Sequence, residues 1–310
     1  MCKEKISVIM STYNEPEEWV RKSIESILNQ SYRNLELIVV CDNPENVQLI
    51  NILNEYNQKD SRVKLILNEV NLGLSKSLNR ALEKVTGKYV ARMDSDDIAI
   101  ENRIELQIKY LKEKKLDLIG SGVVCIDESG KKISNMNSFP KSDKEVRKKI
   151  IHNNCLAHPT WVGRVEVFKD NKGYREIPYA EDYDFILRAL DKGYKLGNIN
   201  SILLKYRIRS SSISNKNGLK QFLISQELVN KFKDGLINRD ISYILEEIDK
   251  VISRINNKEE EEYYIASTSF TRAAMKLKSL NPIGIKPLLN AIFISKYYRK
   301  KIKCYINGLM

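Results

Sequence analysis

The sequence predicts an α/β domain on a mostly parallel sheet flanked by helices, followed by a helical C-terminal extension. Three observations predict it. Apolar runs alternate with amphipathic stretches over the first 130 residues. Those runs are nearly continuous, as strands buried on both faces require. From Gly218 the period is helical to the end.

The first strand is expected from Ile6 to Met10, broken only by Ser7. Pro16 and the acids Glu15, Glu17 and Glu18 open a helix, because proline suits the first turn and carboxylates favour the positive end. Val20, Ile24, Ile27 and Leu28 give it an apolar face. Leu35 to Cys41 is a second strand, followed by a helix with Val47, Leu49, Ile50 and Leu53 inward. A third strand, Val63 to Leu67, precedes a helix from Gly73 to Val85 with Leu74, Leu78, Ala81 and Leu82 on one side. Lys88 to Met93 is a fourth strand, Ile104 to Leu111 a helix, and Leu116 to Ile126 a strand interrupted by Gly120-Ser121-Gly122. Past residue 140 the regularity fails, apart from a helix entered at Glu181-Asp182 with Phe185, Ile186 and Leu190 inward.

Charge is unevenly placed along the 310 residues. The net charge is +12, yet no Asp or Glu follows Glu262, so the first 262 residues carry only +3 and the last 48 carry +9. A chain basic throughout for nucleic acid would not confine its excess to one end. No run of 18 apolar residues is present, so no membrane-spanning helix is expected. The opening apolar run soon meets Ser11, Asn14 and Glu15, too polar for a signal peptide. Five scattered cysteines lack metal-ligand spacing and read as reduced thiols of a cytoplasmic protein.

Ligands of open parallel sheets sit beyond the carboxyl ends of the strands. Here those ends are Ser11-Thr12-Tyr13-Asn14, Asp42-Asn43, Asn68 and Asp94-Ser95-Asp96-Asp97. Helix capping explains any one of these polar residues, but three carboxylates within four residues repel one another unless a cation neutralises them. Hard oxygen ligands at that position suit Mg2+ or Mn2+ shared with a substrate phosphate. No Walker lysine motif and no Gly-x-Gly-x-x-Gly after the first strand is present, which excludes P-loop and dinucleotide-dehydrogenase readings.

The segments I-S-V-I-M-S-T-Y-N-E (6–15), N-Q-S-Y (29–32), N-L-G-L-S-K-S-L-N (71–79) and A-R-M-D-S-D-D (91–97) resemble those of the inverting GT-A glycosyltransferases of family 2, in the bacterial surface-polysaccharide style. A-H-P-T (157–160), G-Y-R-E (173–176), E-D-Y-D (181–184) and Y-R-I-R-S (206–210) continue the match in order. The resemblance implies a GT-A catalytic domain over 1–215, with a nucleotide-binding half at 1–97 and an acceptor half at 98–215. A helical region with a basic tail, 216–310, follows.

By the same resemblance, Ser11, Thr12, Tyr13 and Glu15 surround a uracil base, on which the tyrosine ring can stack. Asp42 matches the uracil-contacting aspartate, although Cys41 stands where the family's first acid would be. Asn71, Gly73 and Lys76 lie beside the nucleotide, Asp94 near the ribose, and Asp96 on the divalent metal. Arg92 either contacts the nucleotide or pairs with an acid, and Asp97 is expected to cap the following helix. Asp182 matches the catalytic base, with Glu181 orienting the acceptor. His158 matches an element near acceptor and sugar, and Trp161 is either a sugar platform or a core residue. Arg207 and Arg209 are candidates for stabilising the leaving diphosphate, against simple surface pairing. Relatives often carry histidine at the position of Arg209, so arginine there replaces a metal ligand with a fixed charge.

The implied reaction moves a sugar from a UDP-sugar to a glycan acceptor, polyprenyl-diphosphate-linked, with Mn2+ or Mg2+ and inversion. Leu288 to Ser295 runs into Lys296-Tyr-Tyr-Arg-Lys-Lys-Ile-Lys303, a pattern suited to the anionic inner face of a membrane. The enzyme is thus expected to be peripheral there, with no nucleic acid as partner. The competing reading, a nucleic-acid-binding protein using this tail, requires salt-sensitive binding that vanishes without residues 263–310.

Overall fold

The structure, a computed structural model, describes residues 4–209, 217–278 and 293–307. The described residues form two compact units. The first holds residues up to 147 together with 155–176 and 188–209. The second gathers 148–154, 177–187 and the described residues from 217 onward. The boundary expected at 215 lies outside the described residues, as does most of the apolar stretch Leu288 to Ser295.

The first unit is built on strands β1 (Ile6–Thr12), β2 (Leu35–Cys41), β3 (Val63–Leu67), β4 (Tyr89–Asp94), β5 (Ile98–Ala99), β6 (Leu118–Ile126), β7 (Lys132–Met136), β8 (Val162–Arg164) and β9 (Leu196–Arg207). They form one sheet in the order β3-β2-β1-β4-β8-β6-β9-β5, with β7 paired to β6. The expected parallel arrangement holds for β1 to β4. Beyond β4 the sheet is mixed, because β8 runs antiparallel to both β4 and β6, and β5 antiparallel to β9. Helices α1 (Glu17–Leu28), α2 (Val47–Lys59), α3 (Leu74–Leu82), α4 (Arg103–Lys114), α5 (Asp143–Ile150), α6 (Val165–Asp170) and α7 (Glu181–Asp191) follow in chain order, and α5 and α7 run across the division between the units.

The buried face of α1 is the expected one, Val20, Ile24, Ile27 and Leu28. In α2 the inward residues are Leu49, Ile52 and Leu53, and Asn46 caps the helix by accepting from the Leu49 N–H at 3.0 Å. Val47 was expected inward but sits in the first turn, exposed, and Leu74 of α3 is likewise exposed. The glycines of β6 continue the strand. A Cβ on Gly120 would lie 2.4 Å from Asn198 Oδ1, and one on Gly122 would lie 3.0 Å from the Ser201 carbonyl. Glycine therefore lets β9 approach, and the β6–β9 register shifts at Gly122.

One buried carboxylate ties the sheet's lower end together. Glu36 on β2 accepts from Lys5 Nζ at 2.9 Å, Lys64 Nζ at 2.7 Å and the Thr86 N–H at 2.9 Å. Burial alone would raise its pKa, but these donors with Ser7 outweigh it and hold the carboxyl well below its usual range. A depressed pKa stabilises the fold above the unfolded value and is lost as pH falls through the folded one. Glu36→Ala is expected to cost about 3 kcal/mol in urea unfolding at pH 7. The difference from wild type should shrink below about pH 4, and a pH-independent difference would contradict the assignment.

The second unit is helical: α8 (Gly218–Lys233), α9 (Ile241–Ile252), α10 (Asn257–Lys278) and α11 (Lys296–Asn307). Its core joins Leu219, Phe222 and Leu223 of α8 to Tyr263 and Ala266 of α10 and Tyr298 of α11. Lys231 of α8 is buried between Glu227 at 3.1 Å and Glu247 of α9 at 2.6 Å. Among the described residues no helix is long and apolar enough to cross a membrane.

Candidate functional site

Parallel register aligns the strand ends that the sequence singles out. Thr12 lies opposite Cys41, and Ser11 opposite Asp94, so β1, β2 and β4 finish on one edge. Glu15 folds the segment after β1 back on itself, its Oε2 accepting from Thr12 Oγ1 and from the Tyr13 N–H, each at 2.8 Å. The Tyr13 ring is left 42% exposed, a flat apolar surface beside the strand ends.

Asp42 is buried, and both its oxygens hold backbone. Oδ1 accepts from the Leu72 N–H at 2.8 Å and from Asn68 Nδ2 at 2.6 Å, while Oδ2 accepts from the Gly73 N–H at 2.8 Å. Asn71 Oδ1 also accepts from Gly73, at 3.0 Å. Gly73 has φ +82°, the left-handed region, so glycine is required to enter α3 this way. Lys76, one turn on, pairs with Glu176 at 3.0 Å on the surface. Asp42 thereby fixes the 71–73 loop. Asp42→Ala is expected to raise the donor KM at least about tenfold with a smaller change in kcat. Unchanged donor kinetics would rule out a part for this loop in donor binding.

The carboxylates of Asp94, Asp96 and Asp97 come within 4.8 Å of one another at the end of β4. Arg92 is buried and paired with Asp94, so of its two readings the structure shows the ion pair. Burial opposes the Arg92 charge, but Asp94 outweighs it and keeps the guanidinium above its usual range. Burial, then Asp94, pushes the Asp96 carboxyl up to about 6. Asp97 is raised further by burial and by both neighbours. Its Oδ1 accepts from the Arg207 N–H at 2.7 Å, and its buried Oδ2 has no hydrogen-bond partner. Asp97 therefore does not cap α4 as expected: the helix starts after Asn102, and the Asp97 carboxylate is held by the Arg207 N–H. Three hard oxygen donors, mutual repulsion and an orphaned carboxylate oxygen fit a divalent cation.

Two arginines from the end of β9 reach this cluster in different ways. Arg207 lies over Trp19 at 4.5 Å and spends Nε on the Asp96 carbonyl at 2.8 Å and Nη1 on the carbonyls of Asp127 and Glu128 at 3.0 Å. Those bonds make Arg207 a brace under the site. Arg209 instead points its charge at the carboxylates, with Nε 3.0 Å from Asp96 and Nη1 3.7 Å from Glu15. Sequence reasoning missed Arg103, which is fully buried and bonds the Arg92 carbonyl at 2.7 Å and Gln107 at 3.0 Å. The signal was available: Arg103 and Gln107 are four apart on the same face as Ile104, Ile108 and Leu111.

His158 begins a 3-10 turn leading into β8. Its ring is buried, bonded through Nε2 to the Tyr174 hydroxyl at 2.9 Å and edge-on to Trp161 at 4.5 Å. Burial, then Arg92, keeps the imidazole well below its usual range and hence neutral. Trp161 is fully buried, so the core reading applies to it, and His158 packs against it.

In the second unit Glu181, half-buried, and Asp182 open α7. Asp182 Oδ1 accepts from the Tyr183 N–H at 2.6 Å, and Oδ2 from Asn154 Nδ2 at 2.9 Å. Asp182 lines a cavity of about 200 Å³ within that unit.

The sequence profile of glycosyl transferase family 2 matches residues 7–171. An uncharacterized glycosyltransferase of Methanocaldococcus jannaschii is 40% identical over 209 residues, 67% of this chain and 72% of its own. The O-antigen biosynthesis glycosyltransferase WbnJ of Escherichia coli is 35% identical over 211 residues, 67% of this chain and 82% of its own. The crystal structure of S. aureus TarS 1–349 in complex with UDP-GlcNAc is similar in fold, with TM-score 0.61 at 19% identity over 98% of this chain and 92% of that one.

Proposed function

The chain belongs to glycosyl transferase family 2, and from that premise we propose that it transfers a sugar from a UDP-sugar to a glycan acceptor with inversion, in building a bacterial surface polysaccharide. The observation that carries this reading is the Asp94/Asp96/Asp97 cluster, on the same sheet edge as Tyr13 and the Asp42-held loop. The UDP-GlcNAc held by TarS and the O-antigen role in WbnJ's name support the donor and product classes.

Asp94 and Asp96, with the free oxygen of Asp97, would hold Mn2+ or Mg2+, whose charge serves to neutralise a leaving diphosphate. The remaining work falls to side chains. Tyr13 stacks on the base, and Asp42 keeps the backbone of 71–73 in place beside the nucleotide. Arg209 supplies a positive charge for the diphosphate. Asp182 takes the proton from the acceptor hydroxyl as it attacks the anomeric carbon opposite the leaving group, while Glu181 orients the acceptor. Attack from that side inverts the centre.

The test is a panel of UDP-sugars with Mn2+, Mg2+ or EDTA, read by UDP release. Metal-dependent release from one or two donors is expected, and none from any donor would sink the reading. The α11 cations Arg299, Lys300 and Lys303 are exposed, as are Phe293 and Ile306, which supports docking at an anionic inner membrane face where a polyprenyl-diphosphate-linked acceptor resides. Full-length protein should sediment with phosphatidylglycerol vesicles and not with phosphatidylcholine, and equal partition would refute the docking.

A further inference from the structure

The cavity in the second unit contains more than the proposed base. Its wall is shared by Asp182 of α7, Asn153 and Asn154 from the segment after α5, Gln221 of α8, and Lys301 and Cys304 of α11. Two groups there have unmet needs. Among the described residues, no carboxylate lies within 4 Å of Lys301 Nζ, which sits over the rings of Tyr263 and Tyr298 at 5.4 and 5.8 Å. Asn153 Oδ1 is buried and accepts no hydrogen bond. Lys301 is also distinct from its neighbours in the basic helix: Lys296 pairs with Glu259 at 2.7 Å, and Arg299, Lys300 and Lys303 face solvent.

We propose that this cavity seats the acceptor through a phosphate or diphosphate group, with Lys301 as its counter-ion and Asn153 Oδ1 accepting from a hydroxyl of the attached sugar. An uncharged glycan would leave the half-buried Lys301 ammonium with only two ring faces and no counter-ion. Burial depresses the Lys301 pKa, and a bound anion would reverse that pressure. The cavity's volume, about 200 Å³, is that of roughly seven waters, the bulk of one sugar unit. The Asp182 carboxylate in the same wall repels a phosphate, so the anion belongs at Lys301 and the attacking hydroxyl at Asp182. On this view α11 completes the acceptor site in addition to presenting charge outward.

The proposal rests on the reading of Asp182 as the base, but the two fail separately. Inorganic pyrophosphate and glucose 1-phosphate are titrated calorimetrically into the full chain in excess EDTA. Saturable binding is expected in wild type, in Asp96→Asn and in Asp182→Asn. It should weaken at least about tenfold in Lys301→Gln and return in Lys301→Arg. Tighter binding of pyrophosphate marks a diphosphate-linked acceptor, and tighter binding of glucose 1-phosphate marks a phosphorylated glycan. Equal binding by a folded Lys301→Gln variant, or none by wild type, overturns the proposal. Full turnover by Asp182→Asn with phosphate binding still dependent on Lys301 would remove the base and leave the cavity's role standing.

Discussion

Asp182→Asn is expected to lower the transfer rate by about a thousandfold, while UDP affinity stays within about twofold of wild type. The two effects separate because the role proposed for Asp182 lies in the acceptor's chemistry and not in holding the nucleotide. Asparagine keeps an oxygen for the Tyr183 N–H, so the start of α7 is retained. It loses the carboxylate's basicity, and with one oxygen kept for Tyr183 it no longer accepts from Asn154 Nδ2. Single-turnover transfer and UDP titration on the same preparation read both quantities. Retained turnover would falsify the role of Asp182 as base.

The second large effect is expected at Asp96. Asp96→Asn should weaken Mn2+ binding at least about tenfold and lower transfer at least about a hundredfold. The same change removes one of three crowded carboxylates and also the partner of Arg209. Melting of the metal-free protein should therefore stay level or rise, since repulsion relieved offsets the lost ion pair. Electron paramagnetic resonance of free Mn2+ gives the affinity independently of activity. Wild-type Mn2+ affinity in the variant would move the ion elsewhere, and a large fall in melting temperature would make Asp96 structural.

Much of the first unit was legible because β1, β2 and β4 are short, apolar and buried along nearly their whole length. Leu35–Cys41 and Val63–Leu67 have the bounds their composition dictates. The second half of the sheet was not legible for physical reasons. β5 has two residues and β8 three, too short for any period, and β9 carries polar residues because β6 glycines let it approach closely. The clustered aspartates were conspicuous in sequence, but their environment was not. That Asp97 is claimed by the backbone of Arg207, a hundred residues on, depends on the pairing of β5 with β9. The buried pair Arg103 and Gln107 was hidden by its charge, which ordinarily marks a solvent face. His158 shows the converse: a motif residue whose surroundings, not its chemistry, decide its task.

The pairing of β9 between β6 and β5 also sets when the site comes into being. On the ribosome, β1 to β4 emerge early and can pair as a local parallel array. Asp97 and Asp96 gain Arg207 and Arg209 only when the last strand threads into place, a contact of high sequence separation and therefore late. A chain interrupted before residue 207 would carry all three clustered aspartates and yet lack the arginines that brace and balance them. The aspartate cluster is thus unbalanced in the nascent chain until the sheet is finished.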